Sequence, residues 1–252
     1  MADRLTIEEV SDPYANFMRT PLPPRPGVCR ICRTFTDGYS ECYRCAREQP
    51  NHLDVVVPIT YAPGTGQMHT ALRGYKDRLE QRARDRFTRD LLAIFWRFVR
   101  GHERCIAEAV GTSGFDAVTT VPSKATARDE ARGRLRAIVG EHCRPTTDRY
   151  VRVLRPVDGS HQARRFDPDR YRATQRLDGA RVLLIDDTWT TGSSAQSAAC
   201  VLRQAGARTV ALIVLGRYLD FDFADHRQRF QDLPAGFDWA TCVVDAGRGP
   251  TS

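Results

Sequence analysis

Val182-Leu183-Leu184-Ile185-Asp186-Asp187-Thr188-Trp189-Thr190-Thr191-Gly192-Ser193 runs from four aliphatic residues into two adjacent carboxylates, then into a loop of hydroxyl residues and one glycine. The aliphatic run, Arg181 to Asp187, reads as a buried strand. The small-residue stretch from Ser193 to Ala205, closed by Gly206, reads as a helix, and Thr209 to Leu215 as a second strand. A strand, helix and strand in this order form a β-α-β unit and predict a parallel sheet. In open α/β sheets ligands sit at the carboxyl ends of the strands, which is where Asp186 and Asp187 arrive. The loop that follows can wrap a phosphate with backbone N–H groups and hydroxyls, helped by the positive end of the helix. Two acids would repel a bare phosphate. They therefore face another part of the ligand, and a ribose 5-phosphate, with hydroxyls at one end and phosphate at the other, fits that division.

Outward from this stretch, Leu53 to Tyr61 predicts a strand that Pro58 confines to an edge or ends early. Lys76 to Arg100 carries Leu79, Ala83, Phe87, Leu91, Ile94, Phe95, Phe98 and Val99 at intervals of three and four, an amphipathic helix with Gly101 as its C-terminal cap. Phe115 to Val121 predicts a short strand and Ala125 to His142 a basic helix. Arg155 to Thr174 lacks periodicity and is a candidate lid. The order implies an extended or disordered leader at 1–27, a cysteine ribbon at 28–50, an α/β domain at 51–220 and a C-terminal extension at 221–252 with one candidate strand, Trp239 to Val244.

A hydrophobic run, two acids and Thr-x-Thr-Thr-Gly-x-Ser resemble the fingerprint of type I phosphoribosyltransferases. The resemblance implies that Asp186 and Asp187 hold the ribose hydroxyls of 5-phosphoribosyl-1-diphosphate (PRPP) and act in catalysis, while Thr188, Thr190, Thr191, Gly192 and Ser193 bind the 5-phosphate. It also implies a diphosphate loop at Pro122-Ser123-Lys124, where Lys124 is either a diphosphate cation or a solvated surface lysine. Together with the four cysteines, Tyr61 and Leu72-Arg73-Gly74-Tyr75-Lys76, the layout from about Cys29 to Arg217 looks like a ComF-type protein. The implied fold is α/β, a Rossmann-like parallel sheet flanked by helices with a flexible hood, plus a small N-terminal zinc ribbon. The implied activity is Mg2+-assisted transfer of a phosphoribosyl group to or from an unknown nitrogenous acceptor. PRPP sensing without turnover and nucleic-acid handling in DNA uptake are the alternatives. The chain departs from the family at Arg132-Gly133-Arg134-Leu135, where an aromatic and Asn-Gln are expected after Arg-Gly.

Cys29-x-x-Cys32 and Cys42-x-x-Cys45 are two knuckles of equal spacing, the pattern of a closed four-thiolate Zn2+ site, with iron–sulfur ligation or redox pairing as the other uses. Cys105, Cys143, Cys200 and Cys242 read as small buried hydrophobes, and His102, His142 and His161 as surface or core residues. A formal net charge of +7 favours an anionic partner without choosing between a phosphorylated metabolite and nucleic acid. For the latter, Arg164, Arg165, Arg170, Arg172 and Arg176 are the candidate phosphate contacts. At 41% apolar and 9% aromatic residues most of the chain is expected to fold. No run is long and apolar enough to span a bilayer and none resembles a signal peptide, so the expectation is a cytoplasmic protein without membrane insertion. The oligomeric state is left open, a homodimer included.

Overall fold

The computed structural model describes residues 5–48, 50–76, 80–123, 125–131 and 133–244. Its elements run α1 (Ile7–Ala15), β1 (Val55–Pro63), α2 (Gln67–Gly74), α3 (Gln81–Ala109), β2 (Ala117–Thr120), α4 (Thr126–Ala131), α5 (Arg134–Ala137), α6 (Arg144–Thr147), β3 (Leu154–Pro156), β4 (Tyr171–Ala173), β5 (Arg181–Trp189), α7 (Ser193–Gln204), β6 (Thr209–Leu219) and α8 (His226–Gln231). β1, β6, β5 and β2 form one parallel sheet in that order, and β3 pairs antiparallel with β4. The predicted β-α-β unit is β5-α7-β6, with Leu183 opposite Ala211 and Ile185 opposite Ile213.

Alternation along the strands divides the core into two layers. Leu183, Ile185, Ala211 and Ile213 face α3, where Leu91, Ile94, Phe95 and Phe98 supply the apolar stripe. Val182, Leu184, Val210 and Leu212 face α7, where Ala195, Ala198, Ala199 and Leu202 allow close packing. This alternation sends Asp186 and Asp187 to opposite faces of the sheet. Pro58 lies within β1, an edge strand, so its missing N–H leaves no central ladder broken.

Several elements differ from expectation. Residues 7–15 are not extended. Thr6 and Glu9 make a reciprocal capping box (2.7 and 3.1 Å), α1 packs on α3, and Met18 is fully buried. Pro13 is accommodated inside this helix, and the prolines that suggest an extended leader, Pro21, Pro23, Pro24 and Pro26, all follow it, so the expected leader at 1–27 is corrected over 7–15. The long helix does not stop at Gly101. It continues to Ala109 because His102, Ile106 and Ala107 extend the buried stripe, whose packing outweighs the roughly 1 kcal/mol cost of one interior glycine. Residues 125–142 are broken into α4, α5 and a wide turn at 138–142, with Gly133 at the break. The candidate lid is a β3–β4 hairpin whose loop is tied to α7 by the Asp167 N–H donating to Ser197 Oγ (2.9 Å). Residues 239–244 form no strand; Cys242 and Val243 instead turn into the α3 layer. Among the described residues no helix is long and apolar enough to cross a membrane.

Candidate functional site

β2 and β5 are parallel neighbours, so the loops after their carboxyl ends meet. Between them lies a cavity of about 400 Å³, a size suited to a small phosphorylated metabolite. Asp186, Asp187, Thr188, Thr190, Thr191, Gly192 and Ser193 all line it, and Pro122 and Ser123 face them from the other loop. The sequence-predicted residues are therefore brought to one cleft, except Lys124, which lies outside the described residues.

The loop geometry follows from its residues. Gly192 has φ +84°, a left-handed conformation, and N-caps α7. A side chain there is excluded twice over, because an added Cβ would stand 2.2 Å from Trp189 Cζ2. Thr191 Oγ1 donates to Ser193 Oγ (3.1 Å) and accepts from the Ser193 N–H (3.3 Å), fixing two hydroxyls at the helix mouth. Trp189, buried beneath the loop, is its apolar floor.

The acid pair is asymmetric. Asp187, on the α3 face, accepts from the Tyr75 hydroxyl and pairs with the Lys76 ammonium. Asp186 is enclosed by protein yet opens onto the cleft, and one of its oxygens accepts from the Asp187 N–H (2.8 Å). Burial, then repulsion from Asp187, raises its pKa well above the usual carboxylate range, with Lys76 opposing. In this setting Asp186 keeps its proton to higher pH than an isolated carboxylate would.

Asp129 organises the opposite loop. It is buried, accepts from the Ser123 N–H (2.7 Å), and binds Arg136 (2.9 Å) and Arg152 (2.7 Å). Arg128, Arg136 and Arg164 add positive charge to the cavity wall. Tyr75 and Lys76 were marked in sequence only by the Leu72-to-Lys76 resemblance and were given no role. Asp129 carried no local signal, since its partners lie 6 to 23 residues away.

A second, larger cavity of about 1040 Å³ adjoins the first, sharing Lys76, Arg164, Thr188, Thr190 and Thr191 with it. Its far wall combines aromatic and cationic side chains, among them Tyr43, His69, Arg73, Tyr218 and Phe223. Arg170, a candidate nucleic-acid contact, is instead buried and donates to the Gln162 (3.0 Å) and Arg165 (2.9 Å) carbonyls, so it holds the hairpin loop together.

Cys29, Cys32, Cys42 and Cys45 bring their sulfurs within 4.8 Å of one another and could hold a zinc ion. Cys32 and Cys42 sulfurs are 3.7 Å apart, close to the roughly 3.8 Å edge of a zinc–thiolate tetrahedron. Arg217, buried, donates Nε to the Cys32 carbonyl (2.9 Å), places Nη2 3.6 Å from Cys32 Sγ, and donates Nη1 to the Trp189 carbonyl (3.2 Å). It thus connects the cysteine cluster to the hydroxyl loop between β5 and α7. The cluster is also packed on the main core: Cys29, Ile31 and Cys32 share an apolar layer with Val56 and Val214.

No protein-family model matches the chain, and no curated protein matches it.

Proposed function

We propose that the cleft binds PRPP with Mg2+ and that the chain is a phosphoribosyltransferase of ComF-type layout, acting on a nitrogenous acceptor. One observation carries this reading: the acid pair at the end of β5 and the hydroxyl loop at the mouth of α7 share one cavity with a second loop from the neighbouring strand. Both acids line the cleft, and Asp186 suits the ribose hydroxyls because Asp187 is engaged by Tyr75 and Lys76. Asp187 shares its charge with Tyr75 and Lys76, and it holds the strand end in place. Thr188 and Thr190 to Ser193 suit the 5-phosphate, and the Pro122-Ser123 loop, with Arg128 and Arg136 near it, suits the diphosphate.

In the reaction an acceptor nitrogen forms a bond to the anomeric carbon as the bond from that carbon to the diphosphate oxygen breaks. The diphosphate leaves with the bonding electrons and the acceptor loses a proton. Mg2+, a hard cation with oxygen ligands, would neutralise the leaving group, and the carboxylate and hydroxyl donors here fit it. Asp186 would orient the sugar through its hydroxyls, and in its ionised form would stabilise positive charge developing on the ring. The second cavity, open to the first and lined by aromatic rings, offers room for the acceptor, which favours turnover over sensing. Zinc at the four cysteines would be structural.

Calorimetric titration with PRPP and Mg2+ tests the reading. Saturable heat that is lost in Asp186→Asn is expected; its absence, together with no thermal stabilisation by PRPP, refutes the assignment. Saturable binding without PRPP consumption across nitrogenous acceptors would make the chain a sensor.

A further inference from the structure

His102 and Cys105 stand one turn apart on α3, and Cys242 returns to them from the far end of the chain. Cys105 Sγ is 3.3 Å from Cys242 Sγ and 3.9 Å from His102 Nδ1, and ligand atoms from all three residues lie within 4.8 Å of one another. His102 is buried, and its Nε2 is 2.9 Å from the Trp239 carbonyl oxygen. A carbonyl there requires Nε2 to carry the hydrogen, which leaves the lone pair on Nδ1, the ring atom that faces sulfur. A backbone carbonyl behind the imidazole is the usual way a metal-ligating histidine is oriented.

We propose that His102, Cys105 and Cys242 form a second metal site for a soft, thiolate-preferring divalent cation such as zinc, separate from the four-cysteine cluster. With Zn–S near 2.3 Å and Zn–N near 2.0 Å, tetrahedral edges are about 3.8 Å between sulfurs and about 3.5 Å between sulfur and nitrogen. Both observed separations lie within about half an ångström of these values. A disulfide needs its sulfurs at about 2.05 Å, a considerably larger movement. On binding, each thiol releases its proton to solvent and forms a metal–sulfur bond, while Nδ1 donates its lone pair. Cys105 gives up its contact with the His102 carbonyl (3.0 Å), which it makes as a thiol donor. Among the described residues no other histidine, cysteine or acid joins the group, so water takes the fourth position. Cys105 is partly exposed, which provides an entry route. Occupancy would pin the segment carrying Phe237, Cys242 and Val243 against α3.

The test counts metal in the reduced, full-length protein after loading with Zn2+ and desalting, and repeats the loading with Co2+ to read thiolate charge-transfer absorption. The wild type is expected to bind one equivalent more than Cys105→Ala, Cys242→Ser or His102→Gln, and Cys143→Ser, which changes a buried cysteine outside the group, to match the wild type. If Cys242→Ser disturbs folding, Cys105→Ala with unchanged circular dichroism decides, because that position is partly exposed. Equal stoichiometry in the wild type and Cys105→Ala overturns the proposal. So does a Cys105–Cys242 disulfide in unreduced protein whose reduced form gains no extra equivalent.

Discussion

Replacing Gly192 by alanine tests the account of the loop between β5 and α7 without reference to any ligand. Two costs follow from the geometry. Holding an L-residue at φ +84° costs about 1–2 kcal/mol. The new methyl would also meet Trp189 Cζ2 at 2.2 Å, and the ring has little room to withdraw, being buried with its carbonyl held by Arg217. Overpacking of this kind costs about 1–3 kcal/mol. The sum, about 2–5 kcal/mol, corresponds to a fall in melting temperature of roughly 4–20 °C for a chain of this size. A double-mutant cycle separates the terms: Trp189→Phe removes the outer ring, so Gly192→Ala should then cost only the backbone part, leaving a coupling of about 1 kcal/mol or more. Urea denaturation of the four proteins measures it. Equal costs of Gly192→Ala in both backgrounds, or a total below about 1 kcal/mol, would refute the reasoning.

Because burial raises the folded-state pKa of Asp186 above its unfolded value near 3.9, its contribution to stability is fully present below that pH and fades as pH rises through the folded value. Denaturation across a pH series should therefore show the wild type losing stability relative to Asp186→Asn over that window; parallel curves would contradict the burial argument. Lys76→Met strips Asp187 of its cationic partner and should weaken PRPP binding about ten- to a hundredfold by calorimetry; an unchanged affinity would show that the pair is idle. Arg217→Met should retain metal at the four cysteines yet lower PRPP affinity about tenfold, since it releases the Trp189 carbonyl, and metal analysis beside calorimetry distinguishes this from loss of the cluster. Tyr14→Phe removes one donor (2.8 Å) from buried Asp90 and should cost about 1–2 kcal/mol in urea denaturation; no loss would mean that Arg89, which also binds Asp90, suffices.

The central β-α-β unit was legible because two signals coincide there. The aliphatic run specifies a buried strand, and the glycine and hydroxyl residues that follow specify the turn into a helix. The cysteine knuckles were legible for the same reason, their spacing being local. Long-range pairings were not. Nothing near Asp129 indicates that Arg136, Arg152 and the Ser123 N–H converge on it. Cys105 and Cys242 read as isolated small residues because the chain that reunites them has no motif of its own. Gly101 misled for a different reason: one glycine resembles a cap in a short window, whereas the apolar face beyond it is deep enough to carry the helix onward. The leader misled through its prolines, which start only after the capped helix has ended, except for Pro13.

The edges of the small sheet have a consequence for solubility. A four-stranded parallel sheet exposes two borders to which another chain could add a strand. At β1, Pro58 offers no N–H, and the Tyr61 N–H is taken by the Arg19 carbonyl from the segment after α1 (3.3 Å). At β2, the Val118 N–H donates to the Arg149 carbonyl (2.9 Å) and the Val118 carbonyl accepts from Val151 (2.9 Å). Irregular chain thus caps each border at its middle. Removing residues 1–19 would uncover one of them, and the shortened protein should self-associate through strand addition even where its cleft is intact.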